Sequence, residues 1–227
     1  MLSLKPRLKT AAGMMIPGIP LVDIGTDHAY LPAFLIRENI VPSAIAGDIG
    51  EKPLRNARLT VDEYNLGDRI TLTVSDGLKN ISFSGDANIS ICGMGGTLIA
   101  EILEAAPEIK RKGIHLVLQP MTHSEDVRLW LAENSFEITE EKCVFDTGKI
   151  YCCMSADFCP ENRTQFDEGF YYFGTLDNDS EENSAFILSQ YKRIKTKLDA
   201  LTAADKDPDD IEKLTKIVSY YKERYTK

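Results

Sequence analysis

Short apolar runs alternate along the first half of the chain with longer segments in which apolar residues recur every three or four positions. The runs have the length of β-strands and lie at about 19–24, 44–48, 69–75, 87–92 and 115–120. The segments with helical spacing lie at about 30–38, 51–65 and 97–105, and a further helix begins near Ser124, which we expect to cap it. Strands that alternate with helices in this way predict an α/β fold with a mostly parallel sheet.

The pattern changes after the fifth strand–helix unit. Residues 137–151 predict a strand, a tight turn at 146–148 and a second strand, along which Ile150, Cys152 and Met154 alternate with other residues. This pattern is typical of an antiparallel hairpin added to the parallel sheet. A dinucleotide-binding Rossmann domain usually continues with parallel units. A Rossmann-like sheet that ends in a hairpin resembles the class I methyltransferases instead.

The last third of the chain has a third pattern. Residues 161–183 are mostly polar and predict a connecting segment, in which the aromatic run 170–173 is interpreted as core packing, with a stacking surface for bases as the alternative. Apolar residues then recur at alternating steps of four and three in two series: Ile187, Tyr191, Ile194, Leu198 and Leu201, then Ile211, Leu214, Val218, Tyr221 and Tyr225. Two such series joined by a short polar loop predict an antiparallel helical coiled coil. We therefore expect a sheet domain over 1–160 and a helical extension over 161–227.

Composition limits the environment and the partners of the protein. Its 227 residues suffice for one sizeable core and a small appendage. No apolar run reaches the roughly 18 residues of a membrane span, and no charged and apolar leader is visible, so we expect a soluble, cytoplasmic protein. The net charge of −9 argues against nucleic-acid binding over the whole surface, although it leaves a local basic patch open.

Cysteine and histidine usage predicts neither a disulfide framework nor a metal centre. The five cysteines form no C-x-x-C pair, and their odd number favours reduced thiols. The three histidines, His28, His115 and His123, are scattered along the chain without the spacing of metal ligands. We therefore expect no bound metal.

A short basic segment opens the chain. Lys5, Arg7 and Lys9 lie among leucines within residues 2–12. One interpretation is a first helix whose leucines pack on the sheet while its basic side chains are solvated. The other is contact between these three side chains and RNA phosphates.

Acids and glycines stand where the predicted strands end. The stretch 21–32 ends its apolar run at Asp23 and Gly25, and Pro32 follows in the expected first turn of a helix. In an open α/β sheet the ligand lies beyond the carboxyl ends of the strands, so this turn predicts a nucleotide site. The glycine patterns of dinucleotide sites and P-loops are absent from the sequence.

The following strand ends supply further candidates. Asp48 can accept both hydroxyls of a ribose, or it can cap the next helix. Asp76 can accept the exocyclic amine of an adenine, and Gly77 permits a turn. The run 93–96, Gly-Met-Gly-Gly, either lets a flat ligand approach the backbone with Met94 packed on it, or forms a turn that needs positive φ before a helix.

Several of these segments together resemble one family. In order they are 23–32 (DIGTDHAYLP), 44–48 (AIAGD), 76–78 (DGL), 93–96 (GMGG), 118–120 (LQP), 127–131 (VRLWL) and 148–151 (GKIY). They are similar to the motifs of the TrmK-type bacterial tRNA (adenine-N1)-methyltransferases, which modify adenine 22 in the D-arm region and carry a helical C-terminal extension. The resemblance covers about residues 2–157. It implies a S-adenosylmethionine-dependent enzyme with tRNA as its substrate.

The resemblance also implies which residues bind the cofactor. They are Asp23, Gly25 and His28 around the methionine part, Asp48 on the ribose, Asp76 and Gly77 at the adenine, and Gly93 and Met94 beside the bound cofactor. The first motif keeps only Gly25 of the glycine series usual in methyltransferases. This departure predicts a narrower or differently shaped methionine pocket.

The implied reaction is methyl transfer to N1 of adenine, where the neutral base already has an in-plane lone pair. Positioning of the exposed base therefore dominates the catalysis. Asp27 is the candidate that stabilises the developing positive charge or takes a proton from N6, with a helix N-cap as the alternative role. Tyr30 is the candidate that stacks on the base, and His28 orients Asp27, although both also suit a core. The run 93–96 stands where exocyclic-amine methyltransferases have an Asn-Pro-Pro-Tyr-like motif, which favours a ring nitrogen.

Two other functional classes stay open. A NAD-dependent oxidoreductase would share the sheet and the ribose-binding acid, but the missing glycine pattern and the terminal hairpin count against it. A non-catalytic RNA- or protein-binding module would use the helical extension as its active surface. The charged faces of that extension suit an ordinary solvated surface or a tRNA-gripping arm. The sequence is compatible with a monomer or a weak dimer.

Overall fold

A seven-stranded sheet organises the computed structural model, which describes residues 2–161 and 166–226. In chain order the strands are β1 (Leu21–Ile24), β2 (Ala44–Asp48), β3 (Ile70–Val74), β4 (Ala87–Gly95), β5 (Ile114–Thr122), β6 (Phe136–Asp146) and β7 (Lys149–Phe158). They lie in the order β3-β2-β1-β4-β5-β7-β6. The first five pair in parallel, whereas β7 is antiparallel to both β5 and β6. The predicted parallel sheet with a terminal antiparallel hairpin is confirmed.

Helices cover both faces of this sheet. In chain order they are α1 (Pro6–Gly13), α2 (Tyr30–Arg37), α3 (Glu51–Glu63), α4 (Gly96–Glu104), α5 (Ser124–Glu133), α6 (Glu168–Phe173), α7 (Glu181–Ala204) and α8 (Pro208–Tyr225). The first three share one core with the sheet through Ala11, Leu35 and Val61. The fourth and fifth share a second core on the other face through Ile99 and Val127. In the described part of the chain, no helix is long and apolar enough to cross a membrane.

Local chemistry explains where several elements turn or begin. The hairpin turns at Thr147 and Gly148, which both have positive φ, +53° and +76°, as a two-residue type I′ turn requires. Helix α7 begins after Ser180, whose hydroxyl accepts a hydrogen bond from the Asn183 backbone N–H at 3.1 Å. Helix α8 begins with Pro208, which has no N–H to leave unpaired in the first turn.

The end of β4 and the start of α5 differ from what the sequence predicts. Strand β4 continues through Gly95, with register irregularities around Met94, so the glycine run is strand that passes directly into α4. The expected capping role of Ser124 is wrong, because this residue is already the first of α5 and His123 precedes the helix. The Ser124 hydroxyl instead accepts a hydrogen bond from Arg128 Nη1 at 3.3 Å.

The C-terminal helices form a pair that also packs on the sheet. Tyr191 of α7 stacks on Tyr221 of α8 with ring centres 4.0 Å apart, and Lys197 pairs with Asp210 at 2.6 Å, so the two helices run antiparallel. Helix α8 also buries Ile217 completely, although this residue lies outside the predicted series. The wider buried stripe arises because the core of the pair includes Cys152 of β7. A coiled-coil geometry for this pair stays a prediction.

The aromatic run before these helices reaches the same core through Phe173 and Tyr172. It forms α6, which the sequence assigned to a connecting segment. Phe173 is completely buried, and its ring lies 6.0 Å from that of Tyr220. Phe170 is also buried. The core-packing interpretation of residues 170–173 therefore describes these two phenylalanines.

Candidate active site

A cavity of about 680 Å³ opens at the carboxyl ends of β1 and β4. The extended residues 2–5 and helix α1 form one wall, the turn between β1 and α2 forms a second, and the tip of β4 forms the inner end. Its lining residues include Arg7, Asp23, Gly25, Asp27, His28, Tyr30, Tyr64, Cys92 and Gly93. Parallel strand order places these residues together, since β1 and β4 are neighbours in the sheet.

The inner end of the cavity holds a buried carboxylate. Asp23 is 5% exposed, and its Oδ1 accepts a hydrogen bond from Ser90 Oγ of the adjacent strand at 2.5 Å. Burial raises the pKa of Asp23 to about 6, although the Ser90 hydrogen bond opposes the rise. This carboxyl therefore titrates close to neutral pH and suits a cationic partner.

Two glycines let the backbone approach whatever occupies the inner end. Gly25 and Gly93 have φ of +72° and +83°, in the left-handed region that favours glycine. A Cβ on Gly25 would lie 2.1 Å from Cε of Met94, and one on Gly93 would lie 3.2 Å from a guanidinium nitrogen of Arg7. A side chain at either position would therefore displace Met94 or crowd Arg7.

The Arg7 guanidinium is turned inward at the cavity and is held there by side chains of the sheet. Its Nη1 donates to Gln119 Oε1 at 3.0 Å, and its Nε lies 3.4 Å from Asp146 Oδ2. The guanidinium thus spans the ends of β5 and β6. Lys5 and Lys9 are exposed to solvent.

The mouth of the cavity carries a pair of stacked rings. The His28 and Tyr30 rings are nearly parallel, at 8°, with centres 5.1 Å apart, and each side chain is about two-fifths exposed. The turn that presents them has positive φ at Asp27 and Ala29, +48° and +52°. These two left-handed conformations cost free energy, which the surrounding structure must offset. The Asp27 side chain does not cap α2, and its Oδ2 lies 3.7 Å from His28 Nε2.

The remaining cofactor candidates line the neighbouring edge, at the ends of β2 and β3, outside the cavity itself. Asp48 accepts hydrogen bonds from the backbone N–H of Gly50 at 3.0 Å and of Asp27 at 3.3 Å, so it connects this edge to the turn at the mouth. Asp76 is exposed and pairs with Lys79 at 2.6 Å. Gly77 has φ of +61°, and a Cβ there would lie 2.9 Å from Ile102.

Sequence reasoning missed four residues of the site. Ser90 holds Asp23, Gln119 holds Arg7, and Tyr64 lines the outer cavity. Ile49 is 71% exposed beside Asp48 and offers an apolar surface at that strand end. Two signals in the sequence point to such residues. Ser90 is a polar residue within an apolar strand, and Ile49 is a large apolar residue just after a strand.

Two thiols, Cys92 in the cavity lining and Cys153 beside the Arg7 backbone, are poor nucleophiles. Burial raises the pKa of the Cys92 thiol well above its usual range, and burial likewise raises the pKa of Cys153 to about 12. Within residues 2–161 and 166–226, no group of three or more His, Cys, Asp and Glu side chains is placed to hold a metal ion.

The strand order, the antiparallel strand inserted beside β5 and the cavity at the tips of β1 and β4 together define an α/β methyltransferase fold. Comparison of the sequence with known families points the same way. The family described as Methyltransferase domain matches residues 4–154. The chain belongs to this methyltransferase-domain family.

Known relatives narrow the comparison. The tRNA (adenine(22)-N(1))-methyltransferase of Bacillus subtilis is 37% identical over 157 residues, which cover 69% of this chain and 66% of that protein, just under two thirds of its length. A Streptococcus pneumoniae protein assigned as a tRNA (m1A22) methyltransferase, solved with S-adenosyl-L-methionine, superimposes with a TM-score of 0.79 at 28% identity, over 96% of this chain and 100% of that one. The structure of the Bacillus subtilis m1A22 tRNA methyltransferase TrmK has a TM-score of 0.74 at 26% identity, over 97% and 96% of the two chains.

Proposed function

We propose that this protein methylates N1 of adenine 22 in tRNA, with S-adenosylmethionine as the methyl donor. The observation that carries the proposal is the cavity at the tips of β1 and β4, with a buried carboxylate and a guanidinium at its inner end and stacked rings at its mouth. The names of the relatives support the choice of base and RNA. A tRNA substrate in turn places the protein in the cytoplasm.

The residues at the inner end fit the methionine part of the donor, which carries an ammonium and a carboxylate group. Asp23 is placed to bind the ammonium, and Arg7 the carboxylate. Gly25 and Gly93 line the cavity without side chains, so their backbone is accessible to the donor. S-adenosylmethionine supplies an electrophilic methyl group on a sulfonium.

The neighbouring edge fits the nucleoside part of the donor. Asp48 offers carboxylate oxygens to the ribose hydroxyls. Asp76 and Gly77 stand where an adenine would lie, and exposed Ile49 supplies an apolar surface for the ring. Ser75, whose buried hydroxyl has no hydrogen-bond partner among the described residues, lies at the same strand end.

At the mouth, the protein's own residues position the base. Tyr30 offers the free face of its ring for stacking, while His28 supports the other face. Asp27 is 65% exposed at the cavity wall and can stabilise the positive charge that methylation creates on the adenine, or accept a proton from N6. His28, 3.7 Å from the Asp27 carboxylate, orients that carboxylate.

The N-terminal helix contributes to RNA binding in this proposal. Lys5, which lines the cavity, and Lys9, which is exposed on α1, contact tRNA phosphates. Arg7, the third basic residue of this segment, lies deeper and suits the donor's carboxylate better than a phosphate.

The test is methyl transfer from labelled S-adenosylmethionine into an unmodified tRNA, followed by nucleoside mapping. We expect N1-methyladenosine at position 22, and no product in the same tRNA with guanine at that position. A thermal-shift comparison should show stabilisation by S-adenosylmethionine and none by NAD. Label in another nucleoside, or stabilisation by NAD alone, would refute the proposal.

A further inference from the structure

The glycine run at the end of β4 packs backbone against backbone on the loop that leads into α5. A Cβ built on Gly96 would lie 2.0 Å from the carbonyl oxygen of His123, so a side chain does not fit there. His123 has φ of +51°, a left-handed conformation that costs a non-glycine residue about 1 kcal/mol or more. The position of the active-site run 93–96 therefore depends on the position of the first turn of α5.

A side-chain hydrogen bond joins the same two segments. Thr97 Oγ1, in the first turn of α4, donates to Asp126 Oδ2, in the first turn of α5, at 2.6 Å. A bond of this length to a carboxylate is among the stronger kind. The two helices that begin at the active-site edge are thus fixed to each other at their N-termini.

The first turn of α5 is held on its other side by the C-terminal extension. Glu125 is 9% exposed, and both of its carboxylate oxygens accept from Nη2 of Arg193, in α7, at 2.9 Å. The guanidinium also donates to Gln190 at 2.8 Å and lies 5.8 Å from the ring centre of Tyr172. A nearly buried carboxylate depends strongly on its cationic partner, because an unpaired buried charge is costly.

We propose that Arg193 is a positioning residue for methyl transfer. By holding Glu125 it fixes the first turn of α5, and through Gly96 and Thr97 it fixes the run 93–96 beside the donor and the base. This inference rests on the proposed function. It makes the C-terminal extension a support of the active site itself.

The expected consequence is a change in kcat. A displacement of about 1 Å in groups that orient the reactants can cost on the order of 100-fold in rate, whereas binding of tRNA elsewhere on the surface is unaffected. The test compares R193Q with K192Q, which removes one positive charge from the neighbouring exposed position of α7. We expect R193Q to lower kcat by about tenfold or more with KM for tRNA within about twofold, and K192Q to leave kcat unchanged.

Two further variants separate positioning from general damage. R193K keeps a cation opposite Glu125 and should recover part of the lost kcat. If R193Q unfolds at the assay temperature, E125Q replaces it as the test, because the neutral amide removes both the buried charge and the ion pair, and it should lower kcat in the same way. The R193Q/E125Q double variant should lose no more than the worse single variant.

The inference is overturned if R193Q has the kcat of the wild type, if its loss lies in KM alone, or if K192Q shares the loss. A wild-type protein that forms no N1-methyladenosine refutes the proposed function instead. The two proposals therefore fail in distinguishable ways.

Discussion

At the residue scale, Asp23 combines burial with a place at the inner end of the cavity. Because burial raises its pKa from 3.8 to about 6, the folded chain binds this proton more tightly than the unfolded chain does. The resulting contribution to stability is fully present below pH 3.8 and is lost as the pH rises through about 6. At neutral pH the ionised carboxylate weakens the fold until a cationic ligand compensates for its burial.

The variant D23N tests whether the Asp23 carboxylate lowers the stability of the fold while it strengthens binding of the donor. Asparagine keeps an oxygen that accepts from Ser90 but has no charge to bury. Since each tenfold change in a protonation equilibrium is worth about 1.4 kcal/mol, the raised pKa corresponds to roughly 3 kcal/mol. We therefore expect D23N to be as stable as the wild type or more stable at pH 7, with a free energy of unfolding that changes less between pH 4 and 7.

Urea unfolding at several pH values measures this difference, and calorimetry measures binding. The same variant should bind S-adenosylmethionine more weakly, by about 1–3 kcal/mol, because a charge-assisted hydrogen bond is lost. Wild-type affinity for the donor should fall as the pH drops below about 6. Unchanged affinity in D23N would remove Asp23 from the cofactor site.

At the element scale, the junction of β4 and α4 depends on close backbone packing. In G96A the added Cβ would meet the carbonyl of His123 at 2.0 Å, and this contact is backbone that cannot rotate away. We expect a loss of about 1–3 kcal/mol in the free energy of unfolding, as for other overpacked sites. G67A is the matched control, since a Cβ at Gly67 has open space, and it should be near neutral.

Lys9, on the exposed face of α1, can be tested for contact with tRNA phosphates. If Lys9 contacts a phosphate, K9Q should raise KM for tRNA, and the slope of log KM against log salt should fall by roughly 0.7–0.9, the release of one counterion. K112Q is the control, because Lys112 is exposed at the opposite edge of the sheet, just before β5. A salt slope equal to that of the wild type would assign Lys9 to an ordinary solvated face.

Elements of this kind also show what a sequence can and cannot predict. The alternation through Ile150, Cys152 and Met154 predicts the antiparallel hairpin, because strand pairing follows a period of two. The inward turn of Arg7 depends on Gln119 and Asp146, which are more than 100 residues away along the chain. Local spacing contains no information about such partners, so it groups Arg7 with Lys5 and Lys9. The same limit hides the Ser90 contact to Asp23.

At the scale of the whole molecule, one buried ion pair ties the sheet to the C-terminal extension. The side chains of Arg128 and Glu141 are completely buried, with Nε and Oε1 2.7 Å apart. Arg128 also donates to the carbonyl of Tyr171 at 2.9 Å, and Glu141 Oε2 accepts from the backbone N–H of Thr175 at 2.6 Å. The pair therefore joins α5 and β6 to the segment around α6. The division of the chain at 160/161 that the sequence predicts separates this pair from the Tyr171 and Thr175 backbone groups that it binds, and it also crosses the core around Cys152.

The buried ion pair predicts how the loss of Arg128 changes the stability of the two parts. R128M leaves the Glu141 carboxylate buried without its partner, which typically costs about 3–5 kcal/mol. R55M is the control, because Arg55 pairs with Glu51 on an exposed helix face, where such pairs contribute about 0–1 kcal/mol. Because both side chains also bond to backbone groups around α6, the loss should appear in the sheet and in the extension alike.

Two spectroscopic signals together show whether the two parts unfold in one transition. Trp130, the single tryptophan of the chain, is nearly buried in α5 and reports on the sheet part alone, whereas far-UV circular dichroism follows the helices of both parts. We expect the two urea transitions to coincide in the wild type and to shift together in R128M, since α7, α8 and the hairpin share one core. If the circular dichroism transition separates from the fluorescence transition, and R128M shifts only one of them, the extension folds as an independent domain. Arg193 would then be attached to a unit that moves relative to α5, and a positioning role for it would require docking of the extension before each methyl transfer.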